Sequence, residues 1–368
     1  MTMIASRAVG RPATKQQAIL DYLYDEILHG DLTPGSRLLT RHELGEKFAA
    51  SGMTVQQALN RLLADGFVVT RGKEGTFVSE CPPHLFRYAL VFPDCPDGTN
   101  WSRLYGALGA EAVRIQRSQP RTIELFYGLD GHTDGEDYHK LLGEMRGRRL
   151  AGIIFAAEPS KLLGTPLLDE PGTPRVAIMS QNIAKLMPKV IPITLDVDSF
   201  IDKAMDYFLA RGRQRIAAIL LSQGEAGGLE AKIVAAAAQR GLTTPAYWRQ
   251  SVDREHNRWA RNCAHMLLRG PAQDRPDALL IADDNLVEHA MTGIVDAGVK
   301  VPDELDVVAH CNLPWATPSV VPARRLGFDA REVMRECIAQ IDIQRRGEPS
   351  SPGSRLAAVF EDELSVSK

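Results

Sequence analysis

No apolar run in the sequence approaches the length of a bilayer span, and the amino terminus, MTMIASRAVGRPATK, lacks the apolar stretch of a secretory signal. Export and membrane anchoring are therefore not expected, and the first dozen residues read as flexible. Cysteine is scarce: five residues, at 81, 95, 263, 311 and 337, with no CxxC pair and no histidine at zinc spacing. That excludes a disulfide framework and a structural zinc site, and it predicts reduced, mostly buried thiols in a cytoplasmic chain. A charge excess is missing too. With 43 Lys and Arg against 46 Asp and Glu, the net charge of −3 excludes a generally polybasic nucleic-acid or membrane binder and confines any basic signal to a local patch. No internal repeat, solenoid period or low-complexity tract is present. The common catalytic and cofactor motifs are absent as well. LLSQGEAGGLEAKIV has G-x-x-G-G in place of the G-x-G-x-x-G that dinucleotide phosphates require, no Walker lysine follows, no nucleophile elbow occurs, and DREHNRW carries a single His. Neither catalytic residues, a metal nor a cofactor is expected.

What is present begins with size. At 368 residues the chain exceeds one small domain and suits a small head followed by a two-lobed body. In the head, GMTVQQALNRLLADGFVVTRGKEGTFV (residues 52–78) opens with a helical pattern in which Val55, Ala58, Leu59, Leu62 and Leu63 share one stripe. The opposite face carries Thr54, Gln56, Gln57, Asn60 and Arg61, side chains able to bond base edges and phosphates in a major groove. Before it, Thr40 caps a helix over 41–49 with Glu43 completing a capping box, and a helix over 15–29 supplies Ile19, Tyr22, Leu23 and Ile27 as a third wall. Two short helices joined by ASG read as a helix-turn-helix, and FVVTR and TFVS form a hairpin, or wing, across Gly72 to Gly75.

Helix, helix-turn-helix and wing in this order resemble the winged-helix domain of the GntR family of bacterial transcription regulators. GDLTPGSRL, HEL, TVQQAL, LLADGFV and GTFV carry the resemblance, in the family's order, between residues 30 and 78. It implies a domain over 14–80 that binds double-stranded DNA through Arg41, His42, Thr54, Gln56, Gln57, Asn60, Arg61, Arg71, Lys73 and Gly75. Three positions where the family usually has arginine carry His42, Gly52 and Gln56. Between Arg37 and Lys73 six Lys and Arg face three acids, a modest positive patch that Asp21, Asp25 and Glu26 cancel over the whole domain. Dimerisation on an inverted-repeat operator is therefore expected to supply affinity.

Pro82-Pro83 in ECPPHLF marks a stiff, extended linker over 81–87. From Tyr88 onward, strand-like runs such as YALVFP, LAGIIFAA, RIAAILLS and DALLIAD alternate with helical segments, the pattern of parallel sheets wrapped by helices. DVDSFIDKAMDYFLARGRQRIAAIL and RPDALLIADDNLVEHAMTGIVDAGVKVPDELDVVAHCN resemble segments of LacI/GalR regulators and periplasmic sugar-binding proteins. The resemblance implies an α/β body over 88–368, two Rossmann-like lobes joined by three crossings (roughly 88–193 plus 313–328, and 194–312 plus 329–368), with a ligand gripped between them. The carboxyl ends of parallel strands form such crevices. Candidate ligand residues are Asp94 and Trp101, Ser222 and Gln223, Asp283 and Asp284, and His310 and Asn312. For Asp283 and Asp284, capping of the helix that begins near Leu286 is the plainer alternative. The arginine that commonly grips a sugar lines up with Leu229, and the glycine beside it with Lys232.

The expectation is a multidomain, cytoplasmic, homodimeric repressor of GntR and LacI type, whose small-molecule effector, a sugar by the resemblance, closes the lobes and alters operator affinity. The alternative is a DNA-binding dimer whose body is a scaffold with no effector.

Overall fold

Each head helix starts where a hydroxyl side chain can cap it. The computed structural model describes residues 14–222, 228–348 and 353–364, and these form two compact units. The first unit holds the described residues up to 88 with 120–122 and 143–151. Its helices are α1 (Lys15–His29), α2 (Arg41–Lys47) and α3 (Gly52–Ala64). Thr14, Thr40 and Ser51 cap them, and the Thr40–Glu43 capping box is reciprocal: the Glu43 amide donates to Thr40 Oγ1 at 3.3 Å and the Thr40 amide to Glu43 Oε2 at 2.7 Å. Strands β1 (Val68–Thr70) and β2 (Thr76–Val78) pair antiparallel around Gly75, whose φ of 120° favours glycine. Ile19, Leu23, Leu44, Val55, Ala58, Leu62 and Phe67 form the core. Leu63 leaves the expected stripe and is exposed.

The linker corrects the expectation of an extended segment. Pro83 opens a helical turn, α4 (Pro83–Phe86), because a first helical residue needs no amide donor. His84 is buried there, its ring stacked on Phe67 at 5.6 Å. Behind α3, Asp65 accepts from Tyr24 Oη (2.8 Å), Arg61 Nε (2.8 Å) and Arg149 Nη1 (2.9 Å). Burial and the Asp65 carboxylate push the Tyr24 hydroxyl above its ordinary value. Arg149 also pairs with Glu144 at 3.0 Å, and Glu144 with Arg87 at 2.8 Å.

The second unit holds two six-stranded sheets. The first contains β3 (Arg87–Val91), β4 (Thr122–Phe126), β5 (Gly152–Phe155), β6 (Arg175–Ile178), β7 (Ile191–Asp196) and β13 (Ser354–Ala357), in the order β13-β7-β6-β5-β3-β4. Helices α5 (Arg103–Ser118) and α6 (Glu136–Arg146), the single turns α7 (Pro166–Asp169) and α8 (Gln181–Ala184), and α13 (Ala330–Arg345) accompany it. The second sheet has the order β14-β12-β11-β10-β8-β9, from β8 (Ile216–Leu221), β9 (Arg249–Val252), β10 (Ala278–Ile281), β11 (Asp306–Leu313), β12 (Arg324–Asp329) and β14 (Val359–Phe360). Its pairs are parallel except at the β14 edge.

Period-two alternation serves both faces of this second sheet. Ala217, Ile219 and Leu221 face a core with α11 (Trp259–Leu268) and α12 (Asp284–Ala297), while Ile216, Ala218 and Leu220 face α9 (Val197–Ala210) and α10 (Gly228–Gln239). Gly293 permits the close approach of α11 and α12, since a Cβ there would lie 2.2 Å from the Arg261 carbonyl oxygen.

The lobes divide differently from the sequence expectation. β12 bonds to β11 and so belongs to the second sheet, whereas α13 packs on the first and β13 extends it beside β7. The chain crosses after β7, after β12 and between β13 and β14. Only pairing partners distant in sequence decide which sheet a strand joins, so local pattern misassigned β12, α13 and β13. The thiols differ too: Cys311 and Cys337 are buried, but Cys81 and Cys95 are exposed.

Candidate functional site

The outer faces of α2 and α3 carry a connected polar surface. Arg41 Nη1 donates to Gln56 Oε1 at 2.7 Å, and Gln56 Nε2 donates to Asn60 Oδ1 at 2.7 Å, so three of the expected readers form one chain. Thr54 bonds the Ser51 hydroxyl at 3.0 Å. Gln57 and His42 are exposed, with His42 Nε2 3.3 Å from Glu46. Arg61 pairs with Asp65, and Arg71 lies over the Phe77 ring and pairs with Glu80 at 3.1 Å. Lys73 is exposed beside Gly72 in the wing turn. Met53, at 71% exposure beside Thr54, was not singled out from the sequence, where it reads as one more helix former. Its thioether offers the apolar contact that a thymine methyl accepts.

In the second unit, the expected ligand residues gather at carboxyl ends of strands from both sheets. Trp101 packs among Phe92 (5.2 Å), Tyr105 (5.4 Å) and Tyr127 (6.0 Å). Asp94 lies beside this cluster. Burial pushes its carboxyl up, while Arg254 and Lys161 pull it down. Tyr105 is pushed up to about 12, chiefly by burial. Arg103 joins the two lobes: its amide donates to Asn285 Oδ1 at 3.0 Å and its guanidinium pairs with Glu288 at 2.7 Å.

Across the cleft, Asp283 caps α12, accepting from the Asn285 amide (2.9 Å) and side chain (2.6 Å), as the plainer alternative anticipated. Asp284 and Asn312 are buried and bonded to each other, Asn312 Nδ2 donating at 2.5 Å, rather than presented at the surface. Burial raises the Asp284 carboxyl to about 6, against the opposing pull of His310. His310 rests between Phe200 (5.2 Å) and Phe328 (5.8 Å), its Nδ1 buried without a hydrogen-bond partner among the described residues. Ser222 is exposed at the end of β8, and Gln223 lies outside the described residues.

Comparison with known proteins agrees with both halves. The family described as bacterial regulatory proteins, gntR family, matches residues 15–78, and the periplasmic binding protein-like domain matches residues 205–358. The chain joins a gntR-family DNA-binding domain to a periplasmic binding protein-like domain. This regulator is 23% identical over 351 residues to the arabinose metabolism transcriptional repressor of Geobacillus stearothermophilus, covering 88% of this chain and 90% of the relative. The repressor NagR of Bacillus subtilis is 39% identical over 62 residues, covering 17% of this chain and 26% of NagR. A LacI-family regulatory protein from Chloroflexus aggregans shares the fold at TM-score 0.57 and 16% identity, covering 75% of this chain and 96% of that one.

Within this regulator, Leu229 packs toward the α9–α10 core and Lys232 pairs with Asp198 at 2.6 Å, so neither stands where a sugar-gripping arginine would be useful. Tyr127, Lys161 and Arg254 were missed from the sequence. A lone basic residue in a turn carries no periodic signal. Arg254, however, stands two residues beyond the end of β9, in the same kind of strand-end position that marked the others. Among the described residues no helix is long and apolar enough to cross a membrane.

Proposed function

We propose that this regulator is a cytoplasmic, homodimeric repressor whose small, sugar-like effector binds between the two lobes of the body and changes affinity for an inverted-repeat operator. The observation that carries the reading is the meeting of strand ends from both sheets, where Arg103, two residues after Trp101, bonds Asn285 at 3.0 Å and pairs with Glu288 at 2.7 Å, in a chain that also presents the Arg41–Gln56–Asn60 surface. The arabinose repressors among its relatives supply the sugar. Binding rather than catalysis fits the cleft, since Asp284 and Asn312 are committed to each other and Asp283 to its helix.

Dimerisation is supported by an apolar groove of about 470 Å³ on α11, where Trp259 is 54% and Met266 77% exposed beside Tyr247. A second copy would cover it on both subunits at once. The scaffold reading is favoured by one observation, the loss of the gripping position to Leu229. Selecting bound fragments from the host genome tests the proposal: inverted repeats beside genes of sugar metabolism are expected, and single half-sites scattered without such neighbours would contradict it.

A further inference from the structure

Arg149 spends its whole guanidinium on two acids. Nε and Nη2 donate to the two carboxylate oxygens of Glu144, each at 3.0 Å, and Nη1 donates to Asp65 Oδ1 at 2.9 Å. Asp65 directly follows α3, the helix that carries Gln56 and Asn60, and its other oxygen accepts from Tyr24 of α1 and from Arg61, both at 2.8 Å. Glu144 also pairs with Arg87 at 2.8 Å. The Asp65, Glu144 and Arg149 side chains are at most 15% exposed, so water competes weakly for these bonds. Buried ion pairs add little net stability over apolar packing, and their best-attested use is to fix one arrangement.

The backbone is shaped for this reach. Arg148 holds a φ of 55°, a left-handed conformation that a residue with a side chain enters at a cost, and its guanidinium is tied to Asp25 of α1 at 2.7 Å. A Cβ at Gly147 would lie 2.6 Å from Arg149 Nη1, so glycine there leaves room for the guanidinium. Residues 143–151 belong to the first unit together with the DNA-binding helices, yet the same stretch holds the last turn of α6 and leads directly into β5, an interior strand of the first sheet.

We infer that Arg149 is a positioning residue for DNA reading: through Asp65 it fixes α3 to the segment between α6 and β5, so that each subunit presents its reading helix in one set orientation. A pair of heads held this way matches one separation of half-sites. Heads that swing on a linker match several, since effective concentration peaks where span and spacing agree and a fixed span sharpens that peak. The inference rests on the reading that a dimer binds an inverted repeat.

Binding of the full chain to inverted repeats of the genomically selected half-site, with the spacer lengthened one base pair at a time over about one helical turn, tests it beside a duplex holding a single half-site. Wild type should bind one spacing at least about tenfold more tightly than spacings about two base pairs away. Arg149→Gln leaves Asp65 its bonds from Tyr24 and Arg61, and Glu144 its pair with Arg87. It should bind those spacings within about threefold of one another, with affinity for the single half-site unchanged. Arg149→Lys should keep part of the preference, since charge returns without the fork. Gly147→Ala removes no charge and crowds only the guanidinium, so it should relax the spacing in the same way even where loss of Arg149 prevents folding. A sharp preference kept by both Arg149→Gln and Gly147→Ala would overturn the inference and leave the dimeric operator standing. A wild type indifferent to spacing would overturn it too, and a repeat bound no better than a single half-site would then remove the dimeric reading with it.

Discussion

Single side chains divide by whether their bonds leave them free to change partners. Gln56 spends both ends of its amide on Arg41 and Asn60, and replacing that chain with a base edge exchanges bonds of similar kind. Gln56→Ala should cost about 1–3 kcal/mol on the preferred operator and little on others, whereas Lys73→Ala should weaken all sequences alike and reduce the salt slope by about one. Binding assays on operator and scrambled duplexes at several salt concentrations check this; equal loss on every sequence for Gln56→Ala removes it as a reader. Asp284 gives a pH signature. Its folded carboxyl titrates near 6, above an unfolded aspartate, so between about pH 4 and 6 the folded chain holds a proton that the unfolded chain has released. Stability from this group is present below that window and is lost as pH rises through it. Asp284→Asn should therefore be more stable than wild type at pH 7, by on the order of 2–3 kcal/mol, and nearly equal to it at pH 4. Urea unfolding at the two pH values measures the difference, and a variant destabilised equally at both would show that the carboxylate itself is needed.

Whole elements were legible where their determinants are local. The capping box at Thr40 and the apolar stripe of α3 lie within single turns of chain, so the head could be read piece by piece. Arg61 keeps an exposed side chain but pairs with its i, i+4 neighbour Asp65 just beyond the helix, a partner that the reading of the polar face did not include. Pro82-Pro83 was misjudged because proline forbids a helix interior but suits a helix start. The exchange of β12, α13 and β13 between lobes was illegible, since nothing in the local pattern of a parallel strand names the sheet it joins. The outward face of α11 was also missed, and it bears on assembly. Met266→Glu, at a position 77% exposed, should leave the fold intact while placing a charge in the proposed subunit interface. Sedimentation at micromolar concentration should show a dimer for wild type and monomers for the variant; a wild-type monomer, with or without DNA, would rule out this interface.

For the molecule as a whole, the claim is that occupancy of the cleft and occupancy of DNA are coupled. A ligand shifts an equilibrium only through unequal affinity for the states it links, and the coupling must be reciprocal. Trp101 and Asp283 were within reach of the sequence because strand ends are recognisable; the contact of Arg103 with Asn285 and Glu288 was not, because it joins residues 103, 285 and 288 through the packing of two sheets. The most direct measurement is a pair of titrations on the full chain: arabinose as the cleft probe with and without operator, and operator with and without arabinose. Both should report the same factor, about five- to a hundredfold. Identical probe affinities with and without operator would contradict effector control and leave the body a scaffold for dimerisation.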